Sequence, residues 1–321
     1  ECTAGRSVER HPAILKAMRD VFQRSAAAAA VAVVTAVLLV ILLAASAPAA
    51  PTGADGGHAE PRSASDDPGP TAAPTVKARS GILIRRDTGE VLWKKSAATK
   101  LPPASCTKIM TALLVLERYR DLSRYVRAPK SVTAQQKVAV GLRPGDRITV
   151  RQALKALLVQ SANDAAVTLA VAVDGSEARF VRRMNKRAAR LGLTETRFRN
   201  CRGKDASGHR MSARDLAKLG RYTWRKFPVF RTIVGKKTVV VTWPPSHRVK
   251  VTSRNRLLDY EWGDGIKTGS TDRAGRVLVG SGAPSGVPLI VVTMREPTRD
   301  QEEKDAVALL RWGAALTAAR Q

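Results

Sequence analysis

Apolar residues fall into one long unbroken run near the start of the chain, then into alternating segments, helical-period segments, and alternating segments again. Ala26–Ala47 holds no charge over 22 residues, about 33 Å as a helix and enough to cross a hydrocarbon core of roughly 30 Å. Pro48–Thr75 is rich in Ala, Pro, Gly, Ser and Asp without an apolar period, so it reads as a disordered tether. From residue 76 to 321 the pattern is that of one folded domain. Arg79–Arg86 and Glu90–Lys94 alternate around Asp87-Thr88-Gly89 and predict a β-hairpin. Two prolines precede Ala104–Glu117 and no breaker interrupts Thr107–Glu117, so a helix starts near Ser105. Ser131–Gly141 is polar and turn-rich, and Pro144-Gly145 marks a turn. Thr149 is placed to cap a helix running to Val159. Further helices follow over Asn163–Val173, Ser176–Gly192 and Ser212–Trp224. Lys237–Trp243 and Arg248–Thr252 predict a peripheral hairpin. Lys267–Gly269, Arg276–Gly282 and Pro288–Arg295 predict an antiparallel set before a terminal helix, Asp300–Ala319. Strands at both ends with helices between them predict an α+β sandwich whose termini share one antiparallel sheet.

Charge fixes the topology. Arg10, Lys16, Arg19 and Arg24 precede the apolar run, and no Lys or Arg follows it until Arg62. The positive-inside rule then puts residues 1–25 in the cytoplasm, makes 26–47 a single transmembrane helix in the cell membrane, and leaves the domain extracytoplasmic. Ala45-Ser46-Ala47 resembles a signal-peptidase site, so a cleaved, secreted form is the alternative. The formal net charge is +28, yet residues 1–75 hold six Lys/Arg and seven Asp/Glu, so the excess resides in the folded part. Its basic residues are scattered, aromatics make up 4% of the chain, and no zinc-finger or RNA-binding signature occurs, which argues against nucleic acid. An anionic wall or membrane polymer is the better-matched partner, beside the alternative of a solvated basic surface with none. Cys2, Cys106, Cys201 and four histidines lack ligand spacing, so neither metal nor cofactor is expected.

Chemistry enters at Ser105 and Lys108, one helical turn apart. A serine hydroxyl needs a base to become a nucleophile, and a lysine serves once desolvation or another cation lowers its pKa. The pair alone says little. Ser161-Ala162-Asn163 and Lys267-Thr268-Gly269 follow in order, and Ser-x-x-Lys, Ser-x-Asn and Lys-Thr-Gly form the motif set of penicillin-recognising serine enzymes. With the flanks Ala104–Glu117, Leu157–Ala166, Phe180–Asn200 and Asp264–Leu278, the chain resembles the D-alanyl-D-alanine carboxypeptidases of the low-molecular-mass penicillin-binding protein type. The resemblance spans roughly Val76–Gly313.

It implies the penicillin-binding-protein/β-lactamase-like transpeptidase fold, a peptidoglycan stem peptide ending in D-Ala-D-Ala as substrate, and β-lactams as covalent inhibitors. By the same resemblance Ser105 is the nucleophile, Lys108 its base, Ser161 a proton relay near Lys267, and Asn163 orients Lys108 and the substrate. The backbone N–H groups of Ser105 and Ser270 form the oxyanion hole. Thr268, Gly269 and Ser270 bind the substrate's terminal carboxylate with a late arginine, for which Arg299 is the best positional match and Arg295 its competitor. Since the chain stops at Gln321, the carboxy-terminal β-domain and amphipathic anchor of many relatives are expected to be missing. Cys106 and Cys201 stand where the family usually has an aliphatic residue and a proline, which invites a disulfide between them in an oxidising compartment, with two buried free thiols preferred. A class A β-lactamase would need a Glu-x-x-Leu-Asn segment, which the chain lacks. An endopeptidase cutting cross-links, and a wall-binding protein without turnover, are the remaining alternatives.

Overall fold

The computed structural model describes residues 72–132 and 138–320. The expected cytoplasmic flank, membrane helix and most of the tether lie outside the described residues. Among the described residues no helix is long and apolar enough to cross a membrane.

The hairpin is β1 (Ser80–Arg85) and β2 (Val91–Lys95). A 3-10 turn, Ala104–Thr107, leads into α1 (Lys108–Arg118). Two three-residue strands, β3 (Tyr125–Arg127) and β4 (Arg147–Thr149), pair with each other. Next come α2 (Val150–Lys155), continued by a π-helical segment Ala156–Gln160, then α3 (Asn163–Asp174), α4 (Glu177–Arg190), α5 (Ala213–Lys226) and α6 (Pro228–Val234). The hairpin β5 (Thr238–Trp243) and β6 (His247–Thr252) precedes β7 (Gly263–Thr271), β8 (Gly275–Gly282), β9 (Leu289–Glu296) and α7 (Arg299–Ala318).

The main sheet is antiparallel in the order β2-β1-β9-β8-β7, so first and last strands of the domain are neighbours as the α+β pattern predicts. Its central strands are covered on both faces, which is why β9 reads as an unbroken Leu-Ile-Val-Val run. Leu83, Leu289 and Val291 pack with Ala306, Leu309, Leu310 and Ala314 of α7. Ile82, Ile84, Ile290 and Val292 face the larger core with α1, α3 and α5. Thr149, Ser176, Ser212 and Thr298 each accept a backbone N–H from the first turn of the following helix, so four helix starts rest on caps visible in the sequence. α6, β3 and β4 have no counterpart in the hydrophobic pattern: each is too short for a period to show.

Asp305 ties the domain's amino-terminal end to α7: its Oδ2 accepts the backbone N–H of Lys77 at 2.5 Å and of Ala78 at 3.2 Å. Glu296 is buried beside it, and burial, then the charge of Asp305, pushes its carboxyl up to about 8. A carboxyl raised in the folded state binds protons that the unfolded chain has released, so stability falls as pH rises from about 4.3 towards that value. Glu296→Gln is expected to flatten the loss of Tm between about pH 5 and about 8. Thermal melts checking it fail the account if both proteins lose stability in parallel.

Candidate active site

The chain turns sharply before α1. Ala104 lies at φ +47°, an uncommon angle for a residue with a side chain, and sets Ser105 at the mouth of the helix with Lys108 fully buried behind it. The Lys108 Nζ lies 3.0 Å from Ser105 Oγ, 2.8 Å from Asn163 Oδ1 and 2.6 Å from the Arg202 carbonyl oxygen. Burial, then the Lys267 cation, holds its pKa well below that of an ordinary lysine. A neutral amine has two N–H donors and one lone pair. Two carbonyl acceptors and one hydroxyl donor match that inventory.

The π-helical segment ends at Ser161, at φ +69°, and the chain turns directly into α3, whose first residue is Asn163. Ser161 Oγ is buried with no hydrogen-bond partner among the described residues. Asp164 accepts the backbone N–H groups of Val140, Gly141 and Leu142, and Asn163 N–H donates to the Val138 carbonyl at 2.7 Å. The second motif therefore also anchors the loop that brings Val138 to the pocket.

Lys267, Thr268, Gly269 and Ser270 lie on β7, an edge strand of the main sheet. Lys267 Nζ donates to the Thr268 carbonyl at 2.7 Å, and burial pushes its pKa down to about 8. Gly269 abuts the nucleophile: a Cβ there would come within 2.6 Å of the Ser105 amide nitrogen. A cavity of about 70 Å³ is lined by Ser105, Ser161, Thr268, Gly269, Ser270 and Arg299, with Val138, Arg254, Arg276 and Glu302. Arg295 is not among its lining residues. Lys108, Asn163 and Lys267 lie just behind them. A larger cavity, about 700 Å³, lies between β1 and α5 and contains none of the motif residues.

The structure adds a loop that motif reasoning passed over. Asn200 Oδ1 accepts from the backbone N–H groups of Arg202, Gly203 and Lys204, shaping the turn that presents the Arg202 carbonyl to Lys108. Thr111 Oγ1 donates to the Cys201 carbonyl at 2.8 Å, which fastens that turn to α1. Gly203, at φ +85°, would place a Cβ 1.9 Å from the Ala104 carbonyl oxygen. The nucleophile's backbone is thus held between Gly203 and Gly269. Gly203→Ala is expected to lower acylation of Ser105 by about 10²-fold or more, because a shift near 1 Å misaligns the attacking oxygen. Rates of β-lactam acylation check it, and an unchanged rate would remove Gly203 from the site.

The Cys106–Cys201 disulfide is not present: both residues are buried free thiols. Cys106 Sγ donates to the carbonyls of Lys267 and Val277, and Cys201 Sγ to the Glu177 carboxylate. Each thiol faces acceptors belonging to other elements, and burial pushes Cys106 up to about 12.

A serine beside a desolvated lysine, an amide oxygen on that lysine, and a small pocket edged by arginines define a site equipped for acyl transfer through the serine. Comparison with known proteins agrees. A family profile described as D-alanyl-D-alanine carboxypeptidase matches residues 68–298. D-alanyl-D-alanine carboxypeptidase DacF of Bacillus subtilis is 34% identical over 240 residues, which are 73% of this chain and 61% of its own. D-alanyl-D-alanine carboxypeptidase DacB2 of Mycobacterium tuberculosis is 32% identical over 253 residues, 77% of this chain and 86% of its own. The crystal structure of the Streptomyces K15 DD-transpeptidase matches at TM-score 0.71 and 29% identity, covering 76% of this chain and 99% of that one. The chain belongs to the D-alanyl-D-alanine carboxypeptidase family, and its domain has the penicillin-binding-protein transpeptidase fold. It spans only about three-fifths of the length of DacF.

Proposed function

We propose that the protein is a serine-type D-alanyl-D-alanine carboxypeptidase that trims the last D-alanine from peptidoglycan stem peptides through an acyl-enzyme. The observation that carries this reading is the Lys108 amine, which meets Ser105, Asn163 and the Arg202 carbonyl at hydrogen-bond distance. Neutral Lys108 takes the proton as Ser105 Oγ bonds to the carbonyl carbon between the two D-alanines. The backbone N–H groups of Ser105 and Ser270 hold the oxyanion. As the C–N bond breaks, Ser161 passes a proton towards the leaving amine, with Lys267 keeping that side of the site positive. Thr268 and Ser270 hydroxyls and Arg299 hold the terminal carboxylate, Arg276 and Arg254 adding positive charge. Water then attacks the ester, Lys108 acting again as base, and frees Ser105. A β-lactam acylates the same oxygen.

The rest of the reading comes from the sequence. The apolar run 26–47 would tether the domain outside the cell membrane, and its basic surface would favour anionic wall polymers. D-alanine release from a stem peptide ending in D-Ala-D-Ala tests the assignment. Release is expected. Its absence, with β-lactam acylation retained, would turn the reading to cross-linked substrate or to transfer onto an amine, and absence of both to a wall-binding role.

A further inference from the structure

Glu302 is the only acid among the described residues that line the small pocket. It lies in the first turn of α7, about one turn beyond Arg299, and only 5% of it is exposed. Its Oε1 has no hydrogen-bond partner among the described residues. A buried carboxyl without a partner weakens a fold, so stability is a poor account of its place beside the nucleophile. The groups around it come from every neighbouring element. Lys267 of β7 and Arg276 of β8 face it, and Arg254 and Arg256 approach from the segment before β7. Glu296 lies on the β9 side and Cys106 on the nucleophile turn, while Arg299 is its neighbour on α7.

On the carboxypeptidase reading, we propose that Glu302 is a positioning residue whose charge sets the pocket's affinity for the substrate's terminal carboxylate. Neutral, it leaves Arg276 and Arg299 to the incoming carboxylate. Ionised, it draws the same guanidinium groups and opposes a second negative charge inside a pocket of low dielectric. Burial pushes the Glu302 carboxyl up to about 7 against the pull of the surrounding cations, so both forms are populated near neutrality. Lys267, pushed down to about 8, loses its charge next. Affinity for the carboxylate therefore falls in two steps as pH rises, the first set chiefly by Glu302 and the second by Lys267.

Steady-state D-alanine release by the full chain, from about pH 5.5 to about pH 9, tests this with Glu302→Gln and Glu302→Asp beside the unaltered protein. KM of the unaltered protein is expected to rise several-fold across the first step. Glu302→Gln is expected to lose that step, keep the later one, and bind substrate several-fold more tightly near pH 8. Glu302→Asp is expected to restore the early rise. Superimposable KM profiles, or a loss confined to kcat at every pH, overturn the proposal. Circular-dichroism melts check folding, and Glu302→Met replaces the glutamine variant should that one fail to fold. No peptide cleavage, with penicillin still acylating the protein, defeats the carboxypeptidase reading alone. The same comparison then moves to the penicillin's acylation rate, because penicillin also carries a carboxylate. An early alkaline fall that Glu302→Gln removes supports the role of Glu302, and a fall shared by both proteins overturns it.

Discussion

Ser105→Ala is expected to abolish D-alanine release and β-lactam acylation together, each by about 10⁴-fold or more. No other group among the described residues of the site can replace its oxygen. Ser161 Oγ shares the pocket, yet the lysine amine lies against Ser105 and Asn163, and no hydrogen bond joins Ser161 to a base among the described residues. The variant should fold as the unaltered protein does, since Ser105 is half-buried and Lys108 is its hydroxyl's one side-chain hydrogen-bond partner among the described residues. Substrate affinity should survive, because the pocket arginines and the β7 edge remain. Parallel measurement of peptide turnover and penicillin labelling checks this. Retained labelling in Ser105→Ala would assign the nucleophile to another residue.

Lys108→Ala is expected to lower turnover by about 10³-fold to 10⁴-fold, towards the upper end of what a general base contributes. Two effects add. The nucleophile loses its base, and the Asn163 amide and Arg202 carbonyl lose the donor between them in a buried site. Lys108→Arg separates the two: a guanidinium can donate to both carbonyls but stays protonated, so it restores part of the melting temperature and little of the rate. Melting curves and turnover measured on both variants check it. Arginine that restores turnover would show that the lysine positions and does not deprotonate.

Much of this was legible in the sequence because the signals were local. Ser105 and Lys108 sit three apart on one helix, and Lys267-Thr268-Gly269 forms a single strand segment. The pairing of the domain's first and last strands in one sheet followed from strand patterns at both ends. The supporting shell was hidden because it is built from backbone groups brought together by the fold. Nothing in Asn200-Cys201-Arg202-Gly203 announces that a carbonyl will face a lysine far back in the chain, or that a glycine will press on Ala104. The glycine at 203, a residue type that enters a left-handed turn without strain, was the one faint signal. Glu302 was hidden differently: in Asp-Gln-Glu-Glu it reads as a solvated first-turn acid, and only packing of α7 against the sheet buries it. The two unusual cysteines raised the idea of a bond, but the preferred reading of two buried free thiols holds, each thiol having carbonyl or carboxylate acceptors of its own.

The most direct test of the central claim is the intact mass of the full chain after brief exposure to penicillin, followed by peptide mapping of any adduct. The account predicts a gain of one penicillin, carried on Ser105 in the peptide that contains Lys108, and no gain in Ser105→Ala. An adduct on Ser161 or elsewhere, or none at all, would contradict it.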